Sequence, residues 1–345
     1  MPNKYDEQYI FRKANVDDTD KIMAFIRNEW NPVHILGNDK ELFLWQYGRS
    51  EYDDFCNLNF ILMTDKTDNI VGMIGYVAYD KENNSISPAM TKVSQTVKIP
   101  LSGLELMRRQ MKLVGEKAQL SSGTNSKTIL PLYDKVFHYT TGIMQQYYII
   151  NHDIVNYKIA SPTLLDANND YIHTNFKLKE VVSFEETVSM YDVEKTHNKM
   201  VFKSQNFLKK RYYEHPIYKY RKWIVIDDKE ESVGLLLGRE IVKNDAKIMR
   251  IVDYRGDLEN IKLLGDALHG LINENQYEYI DLMVSDLSKY RLEQAGFILL
   301  DPDGKTIIPH YFEPFVKENK KNYYENNTEF VIFKADGDQD RPNFR

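Results

Sequence analysis

One order of predicted elements runs through this chain twice, and few folds accommodate such a repeat. In the first half, YIFRKA reads as a short strand and DDTDKIMAFIRNEW as a helix, with Ile22, Met23, Phe25 and Ile26 at helical spacing. NDKELFLWQY continues as a second helix. LNFILMTD and NIVGMIGYVAYD form a hairpin around KTDN, and TKVSQTVKI is a further strand. Then come a helix (SGLELMRRQMKLVGEKA), a strand (AQLSSGT), a short helix (SKTILPLYDKVF) and a strand (TGIMQQYYII). The second half repeats the order. NKMVFKSQNFLKKRYYEHP reads as a helix, YRKWIVIDD and ESVGLLLGREI as a hairpin, and AKIMRIVDYRG as a strand. LENIKLLGDALHGLINEN is a long amphipathic helix, YEYIDLMV a strand, DLSKYRLEQAGF a short helix and NTEFVIFKADGD the last strand. The 345 residues suit two domains of ordinary size. The expected division is 1–151, a connector over 152–185 that contributes strands, and 186–345. The expected fold class is α/β of the α+β kind: two tandem units with mixed sheets, rather than a doubly wound nucleotide fold.

Composition excludes several classes. The net charge of −6 argues against a nucleic-acid footprint. A single cysteine, Cys56, excludes an intrachain disulfide, a Cys-rich metal site and a CxxC pair, and no metal is expected. No apolar run reaches the ~20 residues of a spanning helix. MPNKYDEQYIFRKA has no apolar core of a signal peptide, so a cytoplasmic location is the expectation. Homo-oligomer formation is left open.

The chemistry-bearing feature is the junction KVSQTVKIPLSGLELMRRQM, residues 92–111. A helix N-terminus offers unpaired N–H groups and the positive end of a dipole. Gly103 lets a ligand approach the backbone, and Ser102 is a candidate N-cap. The junction suits a phosphate or pyrophosphate. It lacks GxxxxGK[ST], and Glu105 stands where GxGxxG needs glycine. A strand-to-helix turn with no ligand would use the same residues.

The order of elements, with this junction after the fourth strand, resembles the GNAT acyltransferase superfamily. IPLSGLELM looks like a degenerate form of its coenzyme A pyrophosphate loop, and NSKTILPLYDKVFHY resembles the family's N…LYeklGF segment, with Phe137 and His138 in place of Gly-Phe. KIMRIVDYRGDLENIKLLGDALHGLI and YRLEQAGF resemble the same family in the second half. There Asp257 and Glu259 would repel a pyrophosphate, so the resemblance assigns the coenzyme to the first half. The whole chain is also similar to large tandem GNAT proteins of surface-polysaccharide biosynthesis clusters, through WNPVHILGNDKELFLWQY and KADGDQDRPN. The activity implied is transfer of an acyl group, acetyl above all, from acyl-CoA to the amine of an amino-sugar or nucleotide-sugar by direct attack on the thioester. Acetyl-CoA or another acyl-CoA would be the co-substrate. It would be held by Val93, Gln95, Val97, Ser102, Gly103, Leu104 and Asn125. Tyr133 would be the general acid and His34 the base.

On the acceptor side, FLKKRYYEHPIYKY places Arg211, Tyr212 and His215 among aromatics, a combination suited to a nucleotide-sugar or simply to a solvated helix. Asn38 could bind sugar hydroxyls. IPHYFEPF, with Tyr311, could wall the acceptor. Asp336, Asp338 and Asp340 alternate as a calcium loop begins, but neither the glycine at the sixth position nor the glutamate at the twelfth follows. Asp338, Gln339, Asp340 and Arg341 are instead candidates for sugar or interdomain contacts. Two other readings stand beside the acyltransferase: a Fem-like aminoacyl transferase using aminoacyl-tRNA, and a catalytically silent binding protein of GNAT fold.

Overall fold

In the computed structural model, residues 4–163, 170–338 and 341–343 are described. Gln339 and Asp340 lie outside the described residues. The first half runs β1 (Ile10–Asn15), α1 (Thr19–Glu29), α2 (Ile35–Asn38), α3 (Lys40–Tyr47), β2 (Gly48–Arg49), β3 (Asp54–Thr64), β4 (Ile70–Ala78) and β5 (Ser85–Val93). It continues with α4 (Ser102–Val114), β6 (Ala118–Ser122), α5 (Leu130–Lys135), β7 (Thr140–Ile143) and β8 (Gln145–Ile150). Next come β9 (Lys177–Val181), α6 (Phe184–Met190), α7 (Gln205–Tyr212), β10 (Arg221–Ile226), β11 (Ser232–Lys243) and β12 (Ala246–Gly256). The chain closes with α8 (Gly265–Asn275), β13 (Tyr279–Val284), α9 (Lys289–Gln294), β14 (Ile298–Leu299) and β15 (Tyr323–Asn326).

These strands make two mixed sheets, ordered β1-β3-β4-β5-β6-β15-β7 and β14-β8-β13-β12-β11-β10-β9, with β2 on the flank of β3. Alternation explains how helices cover both faces of the first. Phe60 and Leu62 of β3 pack with Ile22, Ile26 and Phe43 of α1 and α3, while Ile61 and Met63 pack with Leu106 and Met107 of α4. Such a strand is apolar along its whole length. In the second sheet, Met249, Ile251, Ile280 and Leu282 meet Leu268, Leu271 and Ile272 of α8.

The predicted strand TGIMQQYYII is two strands in different sheets. β7 pairs with β15 in the first sheet, and β8 pairs with β13 in the second. The halves therefore exchange strands: the first gives β8 to the second sheet, and the second gives β15 to the first. A boundary at residue 151 does not coincide with the sheets. A joint core follows, in which Val77, Tyr79 and Leu120 pack with Phe207, Leu235, Leu237 and Val252. Beside it Lys203 Nζ lies 2.6 Å from both Asp253 and Asp336, all three side chains at most 1% exposed.

Further element predictions need correction, among them the long helix LENIKLLGDALHGLINEN, which is a 3-10 turn over Leu258–Leu263 followed by α8. The strand predicted at TKVSQTVKI ends at Val93 and begins at Ser85, and residues 94–101 are turns. α7 covers only Gln205–Tyr212 of its predicted segment, capped by Ser204, whose hydroxyl accepts from Phe207 N–H. The last ladder strand is Tyr323–Asn326, and the predicted NTEFVIFKADGD contributes only an isolated bridge, Phe333 to Val284. No helix among the described residues is long and apolar enough to cross a membrane.

Candidate active site

β5 and β6 are the parallel neighbours of the first sheet, and they pair at only two positions, Ser85 with Ala118 and Ile86 with Gln119. Ser87 and Ser121 still touch through their hydroxyls at 2.9 Å. Beyond that the strands part. The cause is a bulge in β5. Ala89 pairs with Gly75 and Lys92 with Met73, so one extra residue is accommodated, and Met90 takes a left-handed φ of 52°. A bulge bends its strand and ends regular pairing. The opening between Pro88–Thr91 and Ser121–Gly123 leads into a cavity of about 530 Å³, a size that suits a small-molecule site.

A phenol and a carboxyl in this cavity are each only 1% exposed. Tyr133 of α5 is 1% exposed and its ring stacks on Tyr139 at 5.2 Å. Burial, with help from nearby Glu325, holds its phenol well above the usual range, so it is a neutral O–H donor. Glu325 comes from β15, the strand supplied by the second half. It is 1% exposed and accepts a hydrogen bond from the Thr124 hydroxyl. Burial raises its pKa to about 8, opposed by the Thr124 bond and a backbone N–H and reinforced by Asp338. Sequence reading missed Glu325. Its signal was slight: one carboxylate after two tyrosines in the β-prone tetrapeptide YYEN.

Asn125, Tyr133, His34, Tyr311, Asp338 and Arg341 all reach this cavity. Asn125 Oδ1 accepts from the Lys127 and Thr128 N–H groups and so shapes the turn into α5. His34 Nδ1 accepts from Leu36 N–H at 3.2 Å, which leaves the proton of the neutral ring on Nε2. Burial, and then Arg341, lowers the His34 pKa to about 4. His34 in this arrangement offers a donor rather than a lone pair. Tyr311 Oη accepts from Asn343, and Asp338 lies 3.4 Å from both Tyr47 Oη and Arg341.

The other predicted coenzyme residues lie past the opening, where β5 ends and α4 begins. Val93 and Val97 pack against the α4 side of the sheet, Gln95 is exposed, and Leu104 is buried. Ser102 is not the cap. Leu101, at φ 65°, holds that position, and the Ser102 hydroxyl donates to Ile99 O at 2.7 Å. A Cβ built on Gly103 meets nothing within 4 Å, so this face of the first turn is open. Glu105 does not face it as a bare charge, being paired with Arg109 at 2.8 Å.

The remaining acceptor candidates lie elsewhere. Asn38 donates to the carbonyls of Pro32 and His34, closing its own loop. Arg211 is buried over Trp45, 5.8 Å from the ring, and donates to Gly337 O. Tyr212 donates to Asp253 at 2.7 Å in the joint core. His215 packs on Trp45 at 4.1 Å and accepts two backbone N–H bonds. Arg211 and His215 thus join the second half to Trp45 of the first; from the stretch 207–220 only Tyr218 reaches the cavity.

The corresponding junction of the second half is filled by the chain itself. A Cβ on Gly265 at the start of α8 would lie 2.4 Å from Tyr171 Cδ2. Asp266 accepts from Thr174 N–H and pairs with His173, at 2.7 and 2.9 Å.

No protein-family model and no curated protein matches the sequence. Solved structures do. One, from Enterococcus faecalis V583 and described as a probable N-acyltransferase, aligns at TM-score 0.52 with 9% identity over 92% of this chain and 72% of its own. A GCN5-related N-acetyltransferase from Anabaena variabilis ATCC 29413 aligns at TM-score 0.50 with 11% identity over the same shares, 92% and 72%. The overall fold, with its two mixed sheets, is like that of these two structures. At such identities the likeness is one of fold, and the chemistry has to be argued from the cavity.

Proposed function

We propose that this protein is an acyl-CoA-dependent N-acyltransferase with one working site, in the parted strands of the first sheet. The observation that carries the reading is the cavity between β5 and β6, with a neutral phenol and a raised-pKa carboxyl buried in its wall. The open first turn of α4 lies at the far end of β5, where unpaired N–H groups would receive the coenzyme's pyrophosphate. The filled junction at Gly265, and the carboxylates Asp257 and Glu259 near it, argue that the second half binds no coenzyme. An amino-sugar acceptor, and a place in surface-polysaccharide biosynthesis, rest on the sequence resemblance alone.

Bound acyl-CoA would supply a thioester already activated for transfer. The residues of this chain would do the rest. Glu325, once ionised, takes a proton from the acceptor ammonium, a task suited to a base with pKa near the working pH. The freed nitrogen forms the N–C bond as the C–S bond breaks. Tyr133 gives its proton to the departing sulfur, and the surplus proton left on the acylated nitrogen returns to the Tyr133 phenolate. Backbone groups of β5 past the bulge orient the acyl carbonyl, and such positioning is worth up to ~7–11 kcal/mol in ideal cases. His34 takes a donor role at the acceptor end, in place of the base role read from sequence. The test is thiol release from acetyl-CoA in the presence of an amino-sugar. Turnover that collapses in Glu325→Gln is expected, and an unchanged rate in that variant would remove Glu325 from the mechanism.

A further inference from the structure

The wall that the second half gives to the cavity is cationic. Arg239, Arg250, Lys320, Lys321, Lys334 and Arg341 line the cavity, in a chain whose net charge is −6. The described carboxylates there are Glu313, Glu325 and Asp338. Some of the cations are satisfied by protein. Arg250 is held by Asp281 at 2.8 Å and by the carbonyls of Pro309 and His310. Lys321 pairs with Asp303 at 2.9 Å.

Arg341 is different. Its side chain is buried, 6% exposed, yet its two described hydrogen bonds, to Asp338 and to Pro342 O, are both 3.4 Å long. Its Nε has no acceptor among the described residues. A buried guanidinium held this loosely is under-compensated, because removal from water is costly unless its donors are met. The field is also felt by two imidazoles of the same cavity. Arg341 disfavours protonation of His34, and Lys334 and Arg250 that of His310, each after burial.

We propose that the acceptor carries an anionic group, phosphate or carboxylate, besides its amine, and that Arg341 binds it within a wall completed by Arg239 and Lys334. This rests on reading the cavity as the transferase site. The complementarity is two-sided: the anion meets the guanidinium, whose fork suits both oxyanions, while the ammonium faces Glu325 and Asp338. The coenzyme's phosphates do not compete for this role, because their place is at α4, beyond the other end of the opening.

The experiment is calorimetric titration of the full chain with glucosamine, glucosamine 6-phosphate and 2-amino-2-deoxyglucuronic acid. At least one anionic ligand should bind at least about tenfold more tightly than glucosamine, the scale of a charged hydrogen-bonded contact, and the better of the two identifies the anion. Arg341→Gln should erase the preference and leave glucosamine unchanged, whereas Arg341→Lys should keep part of it. In the unsubstituted protein, raising salt from about 50 to about 500 mM should weaken the anionic ligand more than glucosamine, which has only the ammonium contact to lose. Equal affinity for all three sugars, no binding of any, or equal weakening of all three by Arg341→Gln would overturn the proposal. Coenzyme A titrated into the same samples separates the two readings. An anion preference without coenzyme binding leaves the subsite standing and the transferase fallen; coenzyme binding without a preference does the reverse.

Discussion

Glu325→Gln has a consequence for stability that can be worked from the structure. A carboxyl raised from 4.5 to about 8 by burial prefers its protonated form by about 5 kcal/mol, at about 1.4 kcal/mol per pH decade. Between these two pH values the folded protein holds a proton that the unfolded chain has released. Stability therefore falls as pH rises from 4.5 and levels off above about 8. The cost is under about 1 kcal/mol at pH 5, about 3 at pH 7 and close to 5 above pH 9. Glutamine never ionises and still accepts the Thr124 hydroxyl bond. The variant should thus gain on the unsubstituted protein by about 2–3 kcal/mol between pH 5 and pH 7. Urea unfolding of both proteins, followed by tryptophan fluorescence at pH 5, 6, 7, 8 and 9, measures that difference. A difference flat across the range would refute the reasoning, since it would mean that Glu325 titrates as an ordinary carboxylate. In turnover the same substitution should cost roughly 10²–10⁴-fold, and the rate of the unsubstituted enzyme should climb with pH to about 8.

Other predictions follow from single contacts. Lys203→Met leaves Asp253 and Asp336 buried without their cation and should cost about 3–5 kcal/mol in urea unfolding; a loss under about 1 kcal/mol would contradict the pairing. Gly103→Trp enters open space, so the circular dichroism and unfolding midpoint should be retained while coenzyme A affinity drops by more than about tenfold; unchanged affinity would move the pyrophosphate elsewhere. Tyr133→Phe should lower kcat by roughly 10²-fold without changing coenzyme affinity, and an unchanged kcat would remove the phenol from proton transfer.

Much of the fold was legible because its strands and helices carry local patterns. The hairpins of both halves and the helix SGLELMRRQM lie where periodicity put them. β5 was misplaced because Pro88 inside SISPAM argues against a strand, while TKVSQTVKI alternates well. The strand exchange was not legible. Alternation tells which face a residue takes but not which sheet a strand joins, so the step at Met144 between β7 and β8 left no local mark. The site divides similarly. Tyr133, His34, Asp338 and Arg341, read from motifs or odd composition, all reach the cavity. Arg211 and His215 misled because a cation among aromatics has one composition whether it awaits a ligand or, as here, packs on Trp45. Glu325 stayed hidden because its importance comes from burial in a borrowed strand.

Titration of the full chain with coenzyme A by calorimetry tests the central claim most directly. The account predicts saturable binding with one site per chain, lost in Gly103→Trp. No binding would contradict an acyl-CoA-dependent transferase, and two sites per chain would contradict the assignment of the coenzyme to the first half alone.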